Sequence, residues 1–356
     1  MTITYHAGRR IQGLASDLTA TQLPAGAVGG WVELGRTTLG SPADTITVSS
    51  LADKRYYMIL GHTVNTGGDT VTHVRANGDS GANYAQRRSK NGLTDLLANP
   101  TTVFCTSHNS KTIDSRFIQG YVANKSDKEK LGIFQTNENP ATGAGTAPSR
   151  IEGVGKHAQT SSALNELQLF NDEAGSFDTG GELVVLGYDP SDTHTTNFWE
   201  ELASVNATGS STNLSSGTIT AKKYLWIQIW LDPSTRQNHL LRFNNDTGNN
   251  YATRYSTNGG ADSTDGSVTN FNLGSGIGTL DGLPSLQNIF VINNSSNEKL
   301  AIIHSVWQNT AGAGNATGRI EMVGKWVNTS SQITEIDVDS NFNWNSGSII
   351  KVWGAD

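Results

Sequence analysis

The chain holds one cysteine, Cys105, in 356 residues, so no intrachain disulfide forms. A lone cysteine reads first as a small buried apolar residue. A cysteine nucleophile would need a histidine partner that the sequence alone does not place. There is no run of lysine or arginine, and the net charge is -7, which argues against a nucleic-acid backbone as partner. Charged residues make up only 16% of the chain, below the roughly 25% usual for soluble domains. No apolar stretch reaches membrane-spanning length, and the opening "MTITYHAGRRIQGL" lacks the apolar centre of a signal peptide. Membrane insertion and export through a membrane are therefore not expected.

Helical periodicity is scarce as well. "GLTDLLANP" (Gly92 to Pro100) offers one or two helical turns at most. What the chain has instead is 39 glycines and loops crowded with Ser, Thr and Asn. That mixture suits many short strands joined by tight turns under a neutral, hydroxyl-rich surface.

The sequence repeats itself. "WVEL" at Trp31 matches "WEEL" at Trp199, and "KRYYMIL" at Lys54 matches "KKYLWIQ" at Lys222. "NGDSGANYAQRRSKNG" (Asn77 to Gly92) matches "NNDTGNNYATRYSTNG" (Asn244 to Gly259) at 10 of 16 positions. "EKL" recurs at Glu129 and Glu298, and "GAGTAPSRIEGVGK" (Gly143 to Lys156) matches "GAGNATGRIEMVGK" (Gly312 to Lys325) at 10 of 14. The offset stays between 167 and 169. Ordered blocks at one offset mark a duplication. The expected organisation is an N-terminal arm (1–30), a first copy (31–190) and a second copy (191–356), joined at "GYDPSDTHTTN".

Within each copy the period is two. "YLWIQIWL" puts Tyr224, Trp226, Gln228 and Trp230 on one face and Leu225, Ile227, Ile229 and Leu231 on the other. "ELQLF" and "TEIDV" alternate in the same way, while "GELVVLG" and "GSIIKVWG" are apolar strands near the end of each copy. "RIEGVGK" alternates too, with Arg150, Glu152, Val154 and Lys156 opposite Ile151, Gly153 and Gly155. Arg150 and Glu152 on one face can pair with each other or across to a neighbouring strand. Strand runs without intervening helices predict an all-β chain of two tandem jelly-roll-like antiparallel sandwiches.

Chemistry is thinly represented. Glu33/Glu201, Asp79/Asp246, Glu129/Glu298 and Glu152/Glu321 are acids kept in both copies. A glycosidase needs two carboxylates across one cleft, but a duplicated enzyme needs only one working site, so acids kept twice read as structural. Asp79 and Asp246 sit in "NGDSG" and "NNDTG", where a short acid stabilises a turn. Calcium is the sharper alternative there, although the full calcium loop is absent. None of the eight histidines recurs at an equivalent position and no H-x₃-H pair exists, so no metal or cofactor is expected. "GAGTAP" and "GAGNATG" lack a following Lys-Ser/Thr and read as hairpin loops. There is no G-x-S-x-G elbow.

The differences between copies are more informative. Met58, His62, Glu138 and His157 of copy one stand where copy two has Trp226, Trp230, Trp307 and Trp326. These tryptophans serve a differently packed core, an assembly interface, or a platform on which sugar rings stack. Arg88 and Lys90 belong to copy one alone and are candidates to meet an acidic neighbour. Arg75 and Arg87 recur as Arg242 and Arg254 and read as structural.

The opener "YHAGRRIQGL", together with "RYYMIL", "SRIEGVGK", "GRIEMVGKWVNTSSQIT" and the strand-then-"LGYDP" ending, resembles structural proteins of marine tailed phages and related viruses. The resemblance implies a virion component and brings no catalytic motif. A virion protein also reconciles an outward-looking surface with the lack of an export signal. The resulting expectation is a non-enzymatic shell or decoration protein that associates with itself and other virion proteins. Its alternative is a tail or fibre module that grips host glycans through copy-two aromatics. Neither nucleic acid nor membrane is an expected partner.

Overall fold

The computed structural model describes residues 30–106, 115–190, 192, 197–235, 238–274, 284–308, 312–314 and 316–356. Almost all of the expected N-terminal arm lies outside these residues. The described residues contain strands and turns and no helix. They form two tandem antiparallel β-sandwiches of jelly-roll-like type.

The first sandwich comprises β1 (Val32–Thr38), β2 (Thr45–Ser49), β3 (Tyr56–Thr66), β4 (His73–Ala76), β5 (Tyr84–Lys90), β6 (Leu96–Thr101), β7 (Cys105–Thr106), β8 (Ser115–Ala123), β9 (Lys130–Asn139), β10 (Ser149–His157), β11 (Glu166–Phe170), β12 (Ser176–Phe177) and β13 (Glu182–Tyr188). Its large sheet runs β1-β13-β3-β8-β9-β10-β5-β6, with β12 on β3, and its small sheet runs β2-β11-β4-β7. The second comprises β14 (Glu200–Asn206), β15 (Asn213–Ser215), β16 (Tyr224–Leu231), β17 (Leu240–Phe243), β18 (Tyr251–Thr257), β19 (Ser263–Val268), β20 (Phe271–Asn272), β21 (Ser285–Ile292), β22 (Lys299–Trp307), β23 (Gly318–Trp326), β24 (Ile336–Asp339) and β25 (Ile349–Ala355). Its sheets run β14-β25-β16-β21-β22-β23-β18-β19 and β15-β24-β17-β20. Apart from β12, the two orders correspond strand for strand, as a duplication requires. Even the irregularities recur: β1 and β14 shift register at Glu33/Gly35 and Glu201/Ala203 against β13 and β25.

The expected alternation sets each core. Leu225, Ile227, Ile229 and Leu231 are fully buried with Leu241, Phe243 and Val338 of the small sheet. In the first sandwich Tyr57 and Ile59 pack with Ile46, Leu167 and Leu169. A third apolar cluster draws on both copies: Met58, Leu60, Phe117, Val184 and Leu186 meet Tyr224, Phe290, Ile292, Leu300, Ile302 and Val323. The large sheets thus bury part of their second faces against each other. This explains why "YYMIL" and "ELVVL" read as unbroken apolar runs, since strands covered on both faces lose their alternation.

The segment expected to be a helical turn is a strand. Leu96–Thr101 forms edge strand β6, paired to β5 through Leu96↔Arg88 and Leu97↔Arg87. A helix needs an apolar stripe to bury, and Leu93, Leu96 and Leu97 all remain exposed. The hairpin from β5 to β6 turns at Asn91 and Gly92, both with positive φ, and Asn258 and Gly259 repeat it in copy two. Both turns need left-handed backbone, which Asn and Gly adopt at least cost.

The doubled "RIE-x-VGK" is strand β10 and strand β23. A Cβ added at Gly155 would lie 1.9 Å from the backbone oxygen of Phe104. One added at Gly324 would lie 2.6 Å from the ring of Phe271. The second glycine of the phrase is therefore a close-approach residue in both copies. Gly153 faces Cys105, whereas its counterpart Met322 fills the core itself.

Candidate functional site

Three of the acids kept in both copies are held in ion pairs within their own sandwich. Glu33 pairs with Arg36 at 2.7 Å, Glu201 with Lys351 at 3.3 Å and Glu129 with Lys156 at 2.8 Å. Asp79 accepts hydrogen bonds from Gly81 N, Asn83 Nδ2 and the ring of His157, 2.9 Å away. Asp246 accepts from Gly248 N, Asn250 Nδ2 and Trp326 Nε1, the last at 2.7 Å. Burial alone would raise both carboxyls, but these donors outweigh it and hold them below the usual range. N–H donors surround each carboxylate, a pattern of turn stabilisation rather than an oxygen shell for a hard cation.

The tryptophans divide. Trp326 is buried in the core and takes over the role of His157, donating its ring N–H to the turn aspartate. Trp307 is also buried, lying over Gly318, where an added Cβ would come within 2.0 Å of the indole. Both are packing residues, which agrees with the reading of a differently packed core and removes Trp307 and Trp326 from the interface or glycan-contact candidates. Trp226 is half-buried, stacked on Phe290 at 5.7 Å and against Trp353 at 5.2 Å, with Nε1 donating to Asn288. Trp230 alone of the four is exposed, at 43%.

Lys90 lies 3.9 Å from Glu138, and Arg88 also feels the Glu138 charge. The acidic neighbour is thus found within copy one. Glu138 is buried and pairs with fully buried Arg116 at 3.0 Å. The cross-strand pair Arg116↔Glu138 is replaced in copy two by Ser285↔Trp307. One indole fills the volume of a buried ion pair.

The richest set of polar contacts lies between the sandwiches. Gln135 Nε2 is 3.0 Å from His304 Nε2, and these are equivalent positions, 169 residues apart. Asn137 donates to the carbonyls of Ala301 (2.9 Å) and Gly324 (2.8 Å). Arg150 pairs with Glu152 at 2.5 Å in its own strand, then reaches Asp262 at 2.6 Å and Glu321 at 3.3 Å in the other copy. The expected pairing within the phrase occurs, while the pairing across goes to the other sandwich rather than to a neighbouring strand of the sheet, and it ties the halves together. Glu182 accepts from Tyr224 Oη at 2.7 Å, from Thr38 and from Lys223 at 3.0 Å. Burial would raise Glu182, but the Thr38 and Tyr224 hydroxyls and the Lys223 ammonium hold its carboxyl below the usual range. His62 is fully buried beside Lys223 and Glu182, and burial pushes its pKa down to about 4.

Of the residues singled out by sequence, Met58, His62, Trp226, Glu298, Glu321 and the Arg150–Glu152 phrase contribute to this junction. Asn137, Glu182, His304 and Tyr224 were missed. Their one visible signal was the apolar runs of β3 and β13, which require a cover on the second face.

No family model matches the chain, and no curated protein matches it. Among solved structures, domains LG4-5 of the mouse laminin alpha1 chain align over 91% of each chain at 9% identity, with a TM-score of 0.18. The flagellar hook junction protein FlgK from Burkholderia pseudomallei aligns over 90% of this chain and 44% of its own at 12% identity, with a TM-score of 0.12. At such scores neither likeness carries an argument, and the sandwich is defined by its own strand order.

Proposed function

We propose that the protein is a structural building block of a virion, placed in the shell or its decoration and acting through self-association and contact with other virion proteins, without catalysis. The observation that carries this reading is the junction itself. Two jelly-roll-like sandwiches pack through the outer faces of their large sheets, with an apolar cluster, buried polar contacts and ion pairs. A sandwich that binds its own duplicate face to face is already an assembly module. The resemblance of the opener and of the repeated phrases to phage structural proteins supplies the virion setting.

The test is peptide abundance in purified particles, with size exclusion and electron microscopy of the isolated full chain. Many copies per particle and particle-sized assemblies in solution are expected. A chain missing from particles and monomeric in isolation would sink the reading.

Trp230 favours a second reading, in which an exposed indole beside Gln228 stacks on a host glycan. Glycan-array binding that Trp230→Ala abolishes, in a chain that does not assemble, would favour that alternative.

A further inference from the structure

The junction between the sandwiches is asymmetric, and its other half stands exposed. In copy one the cross-strand row His62, Phe117, Asn137, Arg150 is buried against copy two. Its equivalent in copy two is Trp230, Leu286, Val306, Arg319. There the first three are 43%, 40% and 39% exposed.

The complementary row shows the reverse. Phe290, Ile302 and Val323 of copy two are 2% exposed each, because they receive the copy-one row. Their equivalents Tyr121, Ile133 and Val154 are 37%, 57% and 47% exposed. These three pair across β8, β9 and β10, and the row runs on through Arg87 to exposed Leu97 on β6. Leu131, also 57% exposed, flanks it, while its counterpart Leu300 is fully buried. An ion pair repeats the pattern: Lys325–Glu298 is sealed in the junction and Lys156–Glu129 is open.

We infer that the exposed copy-two row of one chain docks on the exposed copy-one row of a second copy of this chain, reproducing between chains the contact already made within one. This deepens the self-association reading and rests on it. The intramolecular junction is the template, since it shows which row covers which. Charge agrees. Within the chain Arg150 meets Asp262 and Glu321. The corresponding cation of the exposed row is Arg319, and the corresponding acids are Asp95 and Glu152, which are partly exposed. Contiguous apolar surface rimmed by such charges marks an association site. A contact joining two different surfaces propagates head to tail, closing into a ring or extending as an array.

The experiment is sedimentation velocity on the full chain, on Ile133→Asp, on Val306→Asp, and on the two variants mixed in equal amounts. Both substituted side chains are exposed; circular dichroism checks the fold, and Val154→Lys and Trp230→Ser serve as second variants of each surface. Wild type is expected to form species of two or more chains, rising with concentration. Each variant alone is expected to be monomeric. The mixture is expected to give a one-to-one pair and nothing larger, because Ile133→Asp keeps an intact copy-two row and Val306→Asp an intact copy-one row. A monomeric wild type would overturn both this inference and the self-association reading. An assembling wild type that neither variant weakens, or a mixture that stays monomeric, would overturn this inference alone.

Discussion

The buried Arg116–Glu138 pair offers the sharpest test of how the two copies diverged. Arg116 is fully buried, with Nε donating to Glu138 at 3.0 Å and its other nitrogens to Thr70 Oγ1 at 2.9 Å and Thr70 O at 2.8 Å. Glu138→Ala leaves that guanidinium charge in the interior with only neutral acceptors on Thr70 and Thr72. Removing one partner of a buried pair costs about 3–5 kcal/mol. Glu138→Gln keeps the acceptor and loses only the charge, so about 1.5–3 kcal/mol is expected. Copy two shows the repair. There Ser285 faces Trp307, and Gly318 stands where copy one has Ser149. The triple change Arg116→Ser, Glu138→Trp, Ser149→Gly imports that solution. Exchanging a buried pair for well-packed apolar volume is often neutral, so the triple variant should return to within about 1.5 kcal/mol of wild type. Urea unfolding of the four proteins at neutral pH reads all three values. An alanine variant losing under about 1 kcal/mol, or a triple variant weaker than the alanine variant, would refute the account.

Two further predictions follow from single residues. The folded chain protonates His62 only near pH 4, while the unfolded chain does so at the ordinary 6.5. Stability should therefore be full above pH 6.5 and fall as the pH drops toward 4, by about 3 kcal/mol for this residue at roughly 1.4 kcal/mol per unit. Urea midpoints at pH 7 and 4.5 should separate for wild type and draw together for His62→Gln; equal separation in both would reject the assignment. Gly155→Ala must displace the backbone of Phe104, so a loss of about 2 kcal/mol or more is expected in a thermal melt. Gly153→Ala meets only the Cys105 sulfur at 2.9 Å and should cost distinctly less, and the reverse order would be the failing result.

The sandwich was legible because a half-buried strand writes its geometry into every second residue. "YLWIQIWL" named its core face, and the offset of 167–169 named the duplicate. The paired glycines and aspartates were legible as structure because both copies keep them. Three kinds of information were hidden. Edge strand β6 carries a leucine spacing that also fits a helix, and only its pairing to β5 decides. Trp307 and Trp326 look like contact residues until their partners, Gly318 and Asp246, are placed beside them. The junction is made by residues far apart in sequence, 187 positions for Asn137 with Gly324 and 42 for Glu182 with Tyr224, and no local period records that.

The divergence of the two equivalent rows has a physical direction. The copy-one row His62, Phe117, Asn137 meets a partner tethered in the same chain, at an effective concentration that free association does not reach. Such a row tolerates an unpartnered neutral histidine and an asparagine that contributes through two backbone carbonyls. Among the described residues, nothing of copy one covers the copy-two row Trp230, Leu286, Val306. A surface that must capture its partner from solution gains from a large apolar anchor at its centre, and two positions of the row move toward apolar character: histidine becomes tryptophan and asparagine becomes valine, while Phe117 becomes Leu286 and the arginine is kept. Leaving that surface exposed costs solubility in an isolated chain, and it is the surface that the proposed contact between chains would cover. Reverting Trp230 to His and Val306 to Asn, the copy-one identities, should therefore leave the fold intact and weaken association between chains.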